Sequence, residues 1–302
     1  MNAARTVLIA GEGALPGVLA AALGRSGTAW YACHLDGHPP AQVGQSRAFR
    51  IERLGGLLDE LRADGVARVC FAGRVARPRI DPTQIDAATQ LLVPRIAAAL
   101  EAGDDGALRA VIEIFEDAGF DVVGADAIAP ELLDVPVVGQ PSDRDRRDIA
   151  RARAVHAALG AADVGQGCCV AGGQVLAVEA LPGTDWMLAS LAPPPPAAPQ
   201  PMAAAGGGLL GGMADWLSGP AMPARGLPDF ARPPGGVLYK APKPTQDRRI
   251  DLPTIGPETV RRAAAAGLAG IAIEAGGVLV LEAADVAAQA RAGDVFLTTV
   301  ER

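Results

Sequence analysis

The string KAPKPTQDRRIDLPTIGP, residues 240–257, gathers side chains that could handle a phosphate ester: Lys240, Lys243, Arg248 and Arg249 as cations, Asp247 and Asp251 as carboxylates. Hydrolysing a diphosphate requires neutralised charge, a divalent ion held by carboxylate, and a water directed at phosphorus, and these residue types supply all three. Prolines 242, 244, 253 and 257 favour an extended chain. Alternate residues of an extended chain share a side, so Asp247, Arg249 and Asp251 are expected to face one spot. Most charge runs of this kind are solvated faces, but here Ile250, Leu252 and Ile255 argue for a segment pinned against a core. Lys240, Lys243, Asp247 and Asp251 are the catalytic candidates; Arg249 and Thr254 are candidates for substrate contact.

A second set begins at Gly11-Glu12-Gly13-Ala14-Leu15-Pro16-Gly17, directly after the apolar run Thr6–Ala10. Glycines after a strand let backbone approach a phosphate, and the next helix offers its first N–H groups. Gly11, Gly13, Leu15, Pro16 and Gly73 are therefore candidates for nucleotide contact. Pro16 breaks the G-x-G-x-x-G pattern, although Asp36 lies near the offset of a ribose-binding acid. The alternative is a tight strand–helix turn with no ligand. Gln166, Asp104, Thr184 and Asp185 are further candidates for substrate contact, and Glu179, ending an apolar strand, is a candidate metal ligand with Asp251. The competing reading makes Thr184 or Asp185 the N-cap of a helix at Trp186.

The elements around these groups alternate. Strands are expected at Thr6–Ala10, Trp30–His34, Ala67–Ala72 and Val122–Gly124, with helices at Leu54–Arg62, 91–101 and 106–117 between them. That pattern predicts an N-terminal, Rossmann-like parallel sheet covered on both faces, over residues 1–130. Residues 131–143 read as a Pro-rich linker. Residues 144–302 form an α+β half: a charged helix Arg144–Leu159, a hairpin around Gly172-Gly173, strands Val237–Lys240, Gly270–Glu274 and Val278–Leu281, and a helix Pro257–Ala266. Residues 190–236 are a Pro/Ala/Gly-rich insertion in which Leu209, Leu210, Met213, Trp216 and Leu217 fall at helical spacing. They read as a self-covering loop or as a lid touching lipid.

Composition narrows the classes further. The chain has 302 residues, half of them hydrophobic but only 4% aromatic, and a net charge of −7, so nucleic acid is not an expected partner. Cys33, Cys70, Cys168 and Cys169 have no metal-ligand or disulfide spacing and suit a reducing, cytoplasmic compartment. Glu12 interrupts the N-terminal apolar stretch before a signal peptide could form, and prolines 193–196 break the charge-free run after Trp186. His34, His38 and His156 lack metal-ligand spacing, and no serine sits in a G-x-S-x-G elbow.

Several strings together resemble the LpxI family: LIAGEGALPGVLA at 8–20, VCFAGRVARP at 69–78, GDDGALR at 103–109, DVGQGCCVAGGQVLAVEALPGTDWML at 163–188, and the block 238–276 that contains KAPKPTQDRRIDLPTIGP. The resemblance implies Mg2+-dependent hydrolysis of UDP-2,3-diacylglucosamine to 2,3-diacylglucosamine 1-phosphate (lipid X) and UMP, in lipid A biosynthesis. It implies two α/β domains that clasp the substrate, attack at the sugar-side phosphorus, and an essential aspartate at Asp251. It also implies a cytoplasmic protein, with peripheral contact to the inner membrane and a homodimer as further expectations. The insertion 190–236 is longer than the family pattern. An NAD(P)-dependent oxidoreductase built on Gly11, Gly13 and Asp36, and a non-catalytic nucleotide-sugar or lipid-binding module, are the alternatives.

Overall fold

The computed structural model describes residues 5–75, 80–101, 103–193, 232–244 and 246–302. The apolar string 209–217 and most of the insertion lie outside the described residues. In the N-terminal half, strands β1 (Arg5–Ala10), β2 (Trp30–Leu35), β3 (Ser46–Phe49), β4 (Val66–Ala72) and β5 (Asp121–Val122) alternate with helices α1 (Leu15–Arg25), α2 (Leu54–Ala63), α3 (Ala87–Gln90), α4 (Val93–Glu101) and α5 (Gly103–Asp117). A short helix, α6 (Ala125–Ile128), follows. The strand order is β3-β2-β1-β4-β5 and every pairing is parallel, as expected of a Rossmann-like sheet. The side-chain alternation of β1 explains the two-faced burial: Val7 and Ile9 point into a cluster with Leu57, Leu58, Leu61 and Phe115, whereas Leu8 and Ala10 point into one with Leu19, Ala22 and Leu132. Strand β3 escapes sequence reading because its SRAF string has no apolar period and sits at the polar sheet edge.

The C-terminal half contains α7 (Asp143–Ala161), β6 (Gly167–Ala171), β7 (Gln174–Val178), α8 (Gly183–Leu191), β8 (Val237–Lys240) and β9 (Thr254–Ile255). It ends with α9 (Pro257–Ala265), β10 (Gly270–Glu274), β11 (Leu279–Val280), α10 (Ala283–Ala292) and β12 (Phe296–Val300). Its main sheet has the order β12-β10-β8-β6-β7, parallel through β12, β10 and β8 and antiparallel where β6 pairs with β8 and with β7. Helix α7 covers one face through Ile149 and Ala152 against Cys168, Val170, Val237 and Tyr239; α8, α9 and α10 cover the other. The hairpin turns on Gly172 (φ +57°) and Gly173 (φ +76°), a conformation that favours glycine. Both N–H groups donate to the buried carboxylate of Asp148, at 2.9 and 2.7 Å, which ties the hairpin to α7.

The two halves interlock around residues 247–252. Ile250 is buried in the apolar cluster of α2 and α5, while Leu252, Leu279 and Leu281 join the cluster on the α1 side of the N-terminal sheet. The extended conformation expected here is not what forms. Residues 248 and 249 make a turn closed by the Ile250 N–H to the Asp247 carbonyl, because the Asp247 side chain accepts from the Arg249 N–H two residues on, at 2.9 Å. Arg249 then pairs with Asp247 at 2.8 Å and reaches Glu116 of α5 at 2.5 Å.

That guanidinium holds the Asp247 carboxyl below its ordinary value, against the opposing effect of partial burial. A depressed folded-state pKa contributes stability that is present above the unfolded value, about 3.9, and is lost as the pH falls through the folded one. Asp247→Asn is therefore expected to lower the melting temperature near neutral pH, with the difference from wild type shrinking as the pH drops well below about 4. Parallel melting curves across that range check it, and a difference that stays constant would contradict it.

Candidate active site at the junction of the halves

Asp251 follows the turn in a left-handed backbone conformation, φ +63°. Two side-chain amides hold it. Gln166 Nε2 donates to the Asp251 carbonyl at 3.0 Å and approaches carboxylate Oδ2 at 3.3 Å. Gln246 Nε2 donates to the same carbonyl and lies 3.4 Å from Oδ2. The Gln246 Oε1 in turn accepts the Lys243 N–H at 3.0 Å, so Gln246 spans from the backbone of the KAPKP string to the aspartate. The Asp251 carboxylate is exposed, and Leu252, next in the chain, belongs to the same apolar cluster as Ala14 and Leu15 of the N-terminal half. The segment that carries this aspartate thus runs along the junction of the halves.

Beside it stands a buried polar cluster. Lys240, at the end of β8, is 5% exposed. Its Nζ donates to Thr184 Oγ1 at 2.6 Å and to the Thr254 carbonyl at 3.3 Å; the Thr184 hydroxyl donates onward to Glu179 Oε1 at 2.7 Å. Lys240 Nζ and Glu179 Oε1 are 3.8 Å apart. The other carboxylate oxygen, Oε2, is buried with no hydrogen-bond partner among the described residues. Glycines on both sides of Gln166 make this packing possible: a Cβ at Gly165 would stand 2.1 Å from the Glu179 carbonyl oxygen, and one at Gly167 2.9 Å from Glu179 Oε2. The GQG string therefore lets one chain segment lie on Glu179 while its glutamine reaches Asp251. Lys243, also buried, pairs with Asp163, whose φ of +53° places it in a tight turn after α7. His156 of α7 is buried and bonded to the Ala241 carbonyl at 2.9 Å, and burial lowers its pKa, so it packs as a core histidine.

In the N-terminal half, Gly11, Gly13, Leu15, Pro16 and Gly73 come together at the carboxyl ends of β1 and β4. The strand order changes direction there, the usual place for a ligand crevice in such sheets. Two of the glycines serve the protein's own backbone. Glu12 and Arg74 exchange N–H···O bonds of 2.8 and 3.0 Å, and a Cβ at Gly11 or Gly73 would stand 2.4 Å from the opposing carbonyl oxygen. Gly13 (φ +97°) has no atom of a described residue within 4 Å of where a Cβ would be. Helix α1 has no side-chain cap at its start.

The expectation that Asp247 and Arg249 face the same spot as Asp251 is corrected by the turn: the first two pair with each other and with α5, whereas Asp251 meets Gln166 and Gln246. The N-cap reading of Thr184 and Asp185 is corrected as well. Helix α8 starts at Gly183 behind Pro182 without a side-chain cap, so Thr184 is released to join Lys240 to Glu179. Asp185 is 61% exposed on its side chain and approaches Arg262 of α9 at 3.6 Å. Asp104 lies in the first turn of α5, but its side chain falls outside the described residues. Sequence reading passed over Gln246 and Asp163. The only local signal was their place inside the strings TQDRR and DVGQG.

Mg2+ commonly takes one or two carboxylates and fills its remaining sites with water and substrate phosphate. Among the described residues no three His, Cys, Asp or Glu side chains gather as a metal cage. The exposed carboxylate of Asp251 suits such sparse ligation, whereas Glu179 already faces the Lys240 ammonium.

The fold defines a protein of two α/β halves, the second of which gathers a buried lysine, a hydroxyl and a clamped aspartate. The family profile for the LpxI N-terminal domain matches residues 5–132, and that for the LpxI C-terminal domain matches residues 133–210 and 217–298. A protein of Caulobacter vibrioides named UDP-2,3-diacylglucosamine pyrophosphatase LpxI is 38% identical over 305 aligned residues, covering 97% of this chain and 96% of that one. The chain belongs to the LpxI family, as the strings quoted from its sequence imply.

Removing Gln246 tests whether the clamp on Asp251 matters to turnover. Gln246→Ala is expected to lower kcat by roughly tenfold to 100-fold, the range for small misplacement of a reacting group, with KM little changed. Steady-state kinetics together with a melting curve decide it. An unchanged kcat would remove the amide from any positioning role.

Proposed function

We propose that this protein hydrolyses the diphosphate of UDP-2,3-diacylglucosamine, releasing 2,3-diacylglucosamine 1-phosphate (lipid X) and UMP, a step of lipid A biosynthesis. The observation that carries this reading is the end-to-end relationship to a protein of that name, supported by Asp251 clamped by Gln166 and by buried Lys240 bonded to Thr254, three residues after Asp251 in the same string. Water attacks the sugar-side phosphorus, the bond from that phosphorus to the bridging oxygen breaks, and UMP leaves with the bridging oxygen. The water's oxygen stays on the sugar phosphate.

Asp251 carries the chemistry in one of two ways, as the carboxylate that holds Mg2+ or as the acceptor for the attacking water's proton, and both require its charge. Mg2+, when bound, supplies neutralisation of the diphosphate. Lys240 adds a preorganised positive charge in a buried setting, where it acts more strongly than in water. Gln166 and Gln246 keep the aspartate in its left-handed conformation. No helix among the described residues is long and apolar enough to cross a membrane, which fits an enzyme working from the cytoplasmic side on a lipid held in the inner membrane.

The test is incubation with UDP-2,3-diacylglucosamine with and without Mg2+, in water enriched in heavy oxygen. UMP and lipid X should appear together only with the metal, and the label should enter lipid X. Binding without turnover under every divalent ion tried would replace this reading with a non-catalytic one; label in UMP would move the attack to the other phosphorus. Saturable NAD(P) binding would revive the oxidoreductase alternative, which the backbone pairing of Glu12 with Arg74 does not favour.

A further inference from the structure

Helix α7 forms the outer layer of the C-terminal half. Its buried stripe, Asp145, Asp148, Ile149, Ala152, His156 and Gly160, lies on the sheet. The rest of the helix surface carries Arg144, Arg146, Arg147, Arg151 and Arg153, all exposed, with Ala150, Ala154 and Ala157 among them; Arg144 and Arg153 flank the buried stripe, the Arg144 guanidinium lying at the Gly172 turn. Arg146 pairs with Asp143 at 3.4 Å, and Arg153 reaches Tyr239. Arg144, Arg147 and Arg151 form no ion pair with any described residue. At about 100° per residue these three fall within a stripe about 60° wide. A merely solvated helix face usually alternates charge at three- and four-residue spacing. Here Asp148, four residues after Arg144, is spent on the hairpin N–H groups. The result is a concentrated positive surface on a chain whose net charge is −7.

We propose that the exposed face of α7 docks the protein on an anionic bilayer surface. The positive charges are attracted to the phosphates of an anionic leaflet, and the short alanine side chains on the same surface let headgroups approach closely. The face has no aromatic residue on which a base could stack, which favours headgroups over single-stranded nucleic acid. The proposal rests on the reading above that the substrate carries two acyl chains, because such a substrate is itself held in a bilayer.

The experiment uses the full chain without substrate. Sedimentation with vesicles of phosphatidylcholine alone is compared with sedimentation with equal parts phosphatidylcholine and phosphatidylglycerol. Binding is expected only to the anionic vesicles and should weaken steeply with salt. The variant Arg144→Gln/Arg147→Gln/Arg151→Gln should bind roughly 100-fold more weakly, each arginine contributing about fivefold. The matching triple lysine variant should retain binding, since headgroup attraction needs charge more than fork geometry. Binding by the glutamine variant equal to wild type overturns the proposal, as does equal wild-type binding to neutral vesicles. Arginine-dependent capture of an oligonucleotide with no vesicle binding also overturns it. Turnover of detergent-dispersed substrate is measured separately: its absence would sink the hydrolase reading while leaving the vesicle result to stand.

Discussion

Replacing Asp251 by asparagine is expected to reduce kcat by on the order of 10²- to 10⁴-fold while leaving fold and substrate binding intact. The backbone makes this substitution informative. At φ +63° most side chains are strained, but asparagine and aspartate both tolerate the left-handed region. Asp251→Asn therefore keeps the loop, and its amide oxygen can still accept from Gln166 and Gln246. What disappears is the negative charge, which either metal ligation or proton acceptance requires. Asp251→Ala would confound the result with about 1–2 kcal/mol of backbone strain. Kinetics, equilibrium binding of substrate and a melting curve on the asparagine variant separate the contributions. Activity within a few-fold of wild type would remove Asp251 from the chemistry.

The second large effect is expected at Lys240. Lys240→Met leaves Glu179 buried with one oxygen already unpartnered and without its nearby cation. Breaking a buried pair from one side costs about 3–5 kcal/mol, since the remaining charge has no compensation. The melting temperature should fall accordingly, and turnover should fall with it because the buried positive charge is gone. Adding Glu179→Gln removes the stranded charge, so the double variant should recover much of the stability but little of the activity. Recovery of both would show that Lys240 acts on structure alone. A single variant as stable as wild type would mean that the Lys240–Thr184–Glu179 chain contributes nothing to folding.

Most of the N-terminal sheet was legible because β1, β2 and β4 each carry a short apolar run, and α2 repeats leucines at helical spacing. The 19-residue helix α7 and the short buried strand β8 appear within a residue or two of their expected ends. The polar edge strand β3 and the turn at 248–249 were not legible. In β3 edge pairing outweighs its weak pattern; at the turn, an aspartate bonding to the backbone two residues on outweighs the prolines that predicted an extended chain.

By itself the sequence determined which groups exist to do chemistry: a lysine-rich, proline-held string with Asp251, glycines after the first strand, and an acid ending the strand before Gly-Thr-Asp. Only the tertiary structure decided which of them meet. Gln166 lies 85 residues from Asp251, and Glu116 lies 133 from Arg249; sheet order and the interlocking of the halves set these contacts, and local spacing carries no record of them. The same packing divided the two aspartates of one string, turning Asp247 inward to fasten the halves and leaving Asp251 at the junction. A reversal of chain direction within four residues was enough, because it replaces the two-residue alternation of an extended strand with a turn.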